Sequence, residues 1–189
     1  MLRTIYFAFL FILTTTLTAQ SLTLSGMVKD RFDEPVGSMT IDLLDATGAV
    51  IATANVDCDG VYAFTDLEAG VDYSLRPDKP GAWLNGVSTY DLVQTSKHLL
   101  GLEVFTDPYQ IAAVDLDDSG SVSVLDIVLG RALVLAMIEL LPGNSWLFFA
   151  EGDTVPALEF PIVLSSDLPD YDLIAIKRGD TNGSSVNCE

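Results

Sequence analysis

Residues 115–126 read Asp-Leu-Asp-Asp-Ser-Gly-Ser-Val-Ser-Val-Leu-Asp. Asp115, Asp117 and Ser119 occupy positions 1, 3 and 5 of a twelve-residue loop, and each offers an oxygen. Gly120 falls at position 6, where the sharp turn needs a residue tolerant of positive φ. Ser121 at position 7 would present its backbone carbonyl, Ser123 at position 9 acts directly or through water, and Asp126 closes the loop at position 12. A hard cation such as Ca²⁺ takes six to eight oxygens at roughly 2.3–2.6 Å, and alternating donors around a glycine bend let a short chain wrap it. Asp, Ser and Gly also build ordinary surface turns. Five spaced requirements followed by the apolar run Ile127-Val128-Leu129 favour the calcium loop.

Outward from this loop, the N-terminus reads as an export signal over residues 1–20. Arg3 supplies a positive start, Ile5 to Leu13 an apolar core, and Thr14 to Ala19 a small, polar end with cleavage expected after Ala19. The apolar core is too short for a membrane-spanning helix, so a secreted or cell-surface location without a membrane span is expected. The chain carries 27 acidic and nine basic residues, a net charge of −18, or −19 once Arg3 is removed. Such a charge repels phosphate backbones and excludes nucleic acid as a partner. It also predicts that a divalent cation stabilises the fold by relieving self-repulsion. The two cysteines, Cys58 and Cys188, sit in an oxidising compartment, but their spacing decides neither for nor against a disulfide.

Between Ser21 and Lys79 the pattern is β. Five alternating stretches are separated by the turn clusters Asp33-Glu34-Pro35, Ala46-Thr47-Gly48, Asp57-Cys58-Asp59-Gly60 and Glu68-Ala69-Gly70. They predict a small antiparallel β-sandwich over 21–79. The succession of a Pro-Val turn, a DATG hairpin, a D-x-D-G-x-Y-x-F hairpin and an L-x-A-G-x-x-Y strand resembles carboxypeptidase-regulatory-like and collagen-adhesin B-type sandwich modules. That resemblance implies a spacer or stalk.

Beyond Lys79 the period becomes helical. Leu92, Val93, Leu99, Leu100 and Leu102 form one apolar stripe, and Ile127, Val128, Val134, Leu135 and Met137 another. An offset of 35 pairs Ser88 with Ser123, Asp91 with Asp126, Leu92 with Ile127 and Leu99 with Val134, a duplicated loop-helix unit whose halves are expected to cover each other. The stretches LNGVSTYDLVQTSKHLLG and AVDLDDSGSVSVLDIVLGRALV resemble a dockerin module over residues 80–140. The tail IAIKRGDTNGSS is similar to segments that follow such modules. The resemblance implies calcium-dependent docking to a cohesin-like protein partner. Loop positions 10 and 11 are Val124 and Leu125 in the second repeat and Thr89 and Tyr90 in the first. The apolar pair reads either as a hydrophobic docking patch or as core, and core is favoured because the pair begins an apolar helix.

The first repeat is incomplete, since its positions 1 and 3 are Pro80 and Ala82. Gly86 (carbonyl), Ser88 and Asp91 remain, too few to hold calcium. Two readings of the tail stay open. It is a solvated acidic end, or Asp180 and Asn182, spaced as loop positions 1 and 3, fill the vacated places and complete a second calcium site. Ser145–Ala150, Glu159–Leu164 and Asp172–Lys177 read as strands of a C-terminal β segment over 141–189, either packed on the repeat or extending the sandwich. The fold class expected is thus mixed and two-part, a sandwich followed by a loop-helix repeat and a small β segment.

Enzyme signatures are wanting. His98 is the single histidine, and no nucleophile elbow, H-E-x-x-H motif or phosphate loop occurs. Trp83, Trp146, Tyr90 and Phe105 read as core aromatics rather than a sugar platform. A non-catalytic, calcium-stabilised docking module is expected. The alternatives are a carbohydrate-binding or adhesive module, or a fragment of a secreted polysaccharide-degrading enzyme.

Overall fold

The computed structural model describes residues 21–141 and 143–188; the export segment read at residues 1–20 lies outside them. Eight strands and three helices are present among these residues: β1 (Ser21–Lys29), β2 (Met39–Asp45), β3 (Val50–Val56), β4 (Val61–Glu68) and β5 (Asp72–Asp78), then α1 (Thr89–Leu99), α2 (Pro108–Val114) and α3 (Val124–Val134), then β6 (Trp146–Ala150), β7 (Phe160–Val163) and β8 (Leu173–Lys177). The fold is therefore mixed, with strands before and after a helical segment. Every strand read from alternation or apolar runs is present to within a few residues.

The strands form two four-stranded sheets, ordered β4-β1-β8-β6 and β3-β2-β5-β7. Alternation turns Leu22, Leu24 and Val28 of β1 toward Ile41 and Leu43 of β2 and Leu75 of β5, and one buried cluster joins the facing sheets. The C-terminal strands enter that cluster through Trp146, Phe148, Phe160, Ile162, Leu173 and Ala175. They thus extend the sandwich while also packing on the helical segment, which lies between two parts of one sandwich. Within residues 21–79 every strand pairing is antiparallel, as expected, and the parallel pairing is made by a C-terminal strand. β8 runs parallel to β1, pairing Val28 with Leu173 and Lys29 with Ile174. A parallel neighbour requires a long crossover, and the helical segment supplies part of it.

β8 is buried along its whole length. Its inner face lines the sandwich, while Ile174 and Ile176 pack outward with Phe149 against Ala113 of α2. A strand covered on both faces reads as an unbroken apolar run, which is why Leu-Ile-Ala-Ile shows no alternation. The sequence reading passed over α2, although Asp107 caps it by accepting from the Tyr109 N–H and Pro108 opens it. A third cluster of Val87, Leu116, Leu133 and Leu141 lies under the helices.

The two apolar stripes do not cover each other completely. Val93, Leu100 and Leu102 of the first, and Val128, Leu135 and Met137 of the second, are exposed. Among the described residues no helix is long and apolar enough to cross a membrane.

Candidate metal centres

α1 and α3 begin identically. Ser88 and Ser123 are the N-caps, and Asp91 and Asp126 at N3 close capping boxes back onto them. The cap alone would leave one oxygen of each carboxylate free, and in both helices that oxygen reaches a chain segment arriving from elsewhere. Asp126 Oδ1 accepts the Leu116 N–H at 2.7 Å. Asp91 Oδ1 accepts the Thr181 N–H at 2.8 Å.

In the contiguous loop, Asp115 Oδ1 accepts from the Ser119 N–H at 3.0 Å and Oδ2 from the Gly120 N–H at 2.7 Å. Asp117 Oδ1 also accepts from the Ser119 N–H, and the Ser119 hydroxyl donates to the Ser121 carbonyl. Oxygens of Asp115, Asp117 and Asp126 lie within 4.8 Å of one another. These side chains can hold a metal ion, and the donor set is entirely oxygen. Burial raises the Asp115 carboxyl above the ordinary aspartate range, with the neighbouring Asp117 and Asp126 adding to the effect. Asp117 is held below it, chiefly by the Ser119 side chain. Carboxylates crowded in this way are relieved by a cation. Arg178, almost fully buried, steadies the loop by donating from Nη2 to the Asp115 carbonyl at 2.8 Å. The Ser121 carbonyl accepts the Ser119 hydroxyl, and the Ser123 hydroxyl caps α3.

The tail repeats the main hydrogen bonds of this arrangement. Asp180 Oδ1 accepts from the Ser184 N–H at 3.2 Å, and Oδ2 from the Ser185 N–H at 2.7 Å. Asn182 Oδ1 accepts from the Ser184 N–H at 3.3 Å. The Ser184 hydroxyl donates to the Gly86 carbonyl at 3.0 Å, as that of Ser119 does to Ser121. Gly183 has φ 70°, and its counterpart at loop position 4, Asp118, has φ 59°. The chain between Asp180 and Ser185 thus occupies the place of Asp115–Gly120, and Gly86, Ser88 and Asp91 supply the rest. Asp180 and Thr181 are buried, whereas Asn182, Gly183 and Ser184 in the same turn are exposed.

A Cβ on Gly86 would lie 2.6 Å from Asp180 Oδ2 and from the Ser185 backbone. Glycine is required there by the tail's approach as well as by its φ of 72°. Ser184 was missed in the sequence reading, although Asp180-x-Asn182-x-Ser184 has the spacing of Asp115-x-Asp117-x-Ser119. The tail is fastened on both sides. Cys188 is joined to Cys58 with 5.4 Å between Cα atoms, and Asn85 exchanges two hydrogen bonds with Val186.

Expectations for the neighbouring residues divide. Val124 and Leu125, read as core, are 69% and 50% exposed. The capping box turns the first helical turn of α3 outward, so only Asp126 of that turn is buried. Tyr90 is likewise exposed. Trp146 is buried in the sandwich, and Trp83 lies beneath the Lys177 and Arg178 cations, so neither offers a free ring face to a sugar. His98 accepts the Phe105 N–H at Nδ1 and stacks on its ring.

No protein-family model matches this chain, and no curated protein matches it. Among solved structures it is similar to the C-terminal fragment of the pilus adhesin SpaC from Lactobacillus rhamnosus GG, at 22% identity and a TM-score of 0.29. The match covers 34% of this chain and spans about a quarter, 25%, of that one.

Proposed function

We propose that this chain is a non-catalytic, secreted module whose helical segment is organised by two calcium ions and docks a protein partner on the exposed face of α1 and α3. One ion is held by Asp115, Asp117, Ser119, the Ser121 carbonyl, Ser123 and Asp126. The other is held by Asp180, Asn182, Ser184, the Gly86 carbonyl, Ser88 and Asp91. Both sets are hard oxygen donors without nitrogen or sulfur, the chemistry that suits calcium over zinc or copper. Each gives five or six protein oxygens, and water completes the sphere. The Cys58–Cys188 disulfide fits the oxidising location that the export signal implies.

The observation that carries docking is that the repeat-related residues just past each loop face outward together. Tyr90 and Val93 on α1 match Leu125 and Val128 on α3, and all four are about half exposed. Paired apolar side chains in water are what a partner buries. The resemblance to dockerins suggests a cohesin-like partner. The test is capture from the secretome on immobilised mature protein, with calcium and with EGTA, beside a Val93→Asp/Val128→Asp variant. A partner retained by the parent only with calcium and lost by the variant supports the reading. Equal capture by parent and variant, or with EGTA, refutes it.

A further inference from the structure

A sheet edge is a row of unpaired backbone groups, and three of the four edges here are blunted. β4 carries the charged residues Asp66 and Glu68 at its end. β6 has its Phe148 carbonyl taken by the Ala157 N–H of the following loop. β7 is four residues long and contains Pro161. β3 is different. It runs seven residues, Val-Ile-Ala-Thr-Ala-Asn-Val, without proline, glycine or charge, and it pairs with β2 alone. A register shift makes Ile51 the extra residue of a bulge, so the regular ladder covers Ala52 to Val56. Among the described residues no backbone or side-chain group hydrogen-bonds to it from the side away from β2.

The surroundings of that edge are acidic. Asp57 and Asp59 follow the strand in an exposed turn, whereas Asp42, opposite Thr53 on the interior strand β2, is already paired with Arg76 at 2.9 Å. A second copy of this chain would bring the same net charge of −18 to the contact, so edge-to-edge pairing of two copies is opposed. We infer that β3 is a strand-addition site, and that its occupant is an extended segment of a partner protein carrying Lys or Arg beside a β-branched run. Main-chain hydrogen bonds to Ala52–Val56 give the affinity, and the flanking cations meet Asp57 and Asp59.

The experiment uses the mature, disulfide-bonded chain and a fluorescent synthetic peptide of alternating Thr and Val between lysines. Anisotropy gives the affinity, and amide hydrogen exchange gives the location. The expected result is protection confined to residues 52–56, with binding about tenfold weaker for the same peptide flanked by glutamates. Asn55→Lys, a cation on the open edge, weakens the lysine peptide about as much, while Asn55→Thr binds like the parent. Melting curves of both variants confirm that they fold. Equal affinity for the lysine and glutamate peptides, protection elsewhere or none, or a dimer that excludes the peptide would overturn the inference.

Discussion

Asp180→Asn is the most informative single substitution in this chain. The aspartate accepts four backbone N–H groups, those of Asn182, Gly183 and Ser184 at Oδ1 and that of Ser185 at Oδ2. An asparagine keeps the size and the three bonds at Oδ1, but places an amide donor against the Ser185 N–H. It also removes one of the two carboxylates proposed to hold the second ion. Without calcium the cost is one charge-assisted hydrogen bond, about 1.5–3 kcal/mol. With calcium at a hundredfold excess over Kd, the variant also forgoes about 2.7 kcal/mol of linkage at this site. For a chain of this size each kcal/mol moves Tm by about 2–4 °C, so the calcium-dependent part alone is roughly 5–11 °C. Calorimetric titration should give two events for the parent and one for the variant, and the rise in Tm on replacing EGTA by calcium should shrink by roughly half. Gly86→Ala should also remove that event from the opposite side of the site, because its methyl group displaces the tail. A parent protein with one calcium event, or a variant with two, would refute the split site.

The contiguous loop should respond independently. Asp115→Ala should remove the other event and leave the split one within about 0.5 kcal/mol, as separated sites add; loss of both events would show one cooperative centre instead. Cys188→Ser should weaken the split site selectively, because the disulfide closes a chain separation of 130 residues and restrains the tail. Chain entropy puts the accompanying loss of stability at about 5 kcal/mol, which urea denaturation would register. Lys177 gives the pH test. Burial pushes its ammonium down to about 8 from 10.5, so between these values the unfolded chain holds a proton that the native one lacks. Stability measured in EGTA should therefore rise from pH 8 toward 9.5, before Tyr62, whose phenol burial raises, begins to oppose it. The full difference corresponds to about 3 kcal/mol, and Lys177→Met should flatten the slope. A flat profile in the parent would contradict the assignment.

Much of this architecture was legible in local pattern. Period-two alternation located β1 to β5, and the turn clusters between them survive as hairpins and connections. The contiguous loop was legible because its oxygen donors follow one another in sequence, so their spacing alone brings Asp115, Asp117 and Asp126 together. The split loop was legible only in part. Asp91 and Ser88 were visible through the offset of 35 from Asp126 and Ser123, but Asp180 lies far along the chain, and β8 carries it back. The position of β8 between β1 and β6 is a tertiary result, set by the burial of Leu173, Ala175, Ile174 and Ile176 on opposite faces, and no short-range pattern encodes it. Val124 and Leu125 failed for a related reason. Apolar identity at a helix start suggested core, but the capping box fixes the rotation of α3 from Asp126, and those two side chains then point to water. α2 is one short helix whose signal, Asp107-Pro108, is two residues long, and it is stabilised by packing on β8 rather than by its own periodicity.

Two calcium centres, one contiguous and one assembled from the start of the helical segment and the C-terminal tail, are the core of the proposal. A crystal structure of the mature protein grown in calcium tests it most directly, through anomalous difference density and ligand distances. Two ions per chain are predicted. Oxygens of Asp115, Asp117 and Asp126 should lie about 2.3–2.6 Å from one, and those of Asp180, Asn182 and Asp91 at the same range from the other. Density at Asp115–Asp126 alone would contradict the split site, and no density at either loop would contradict the account as a whole.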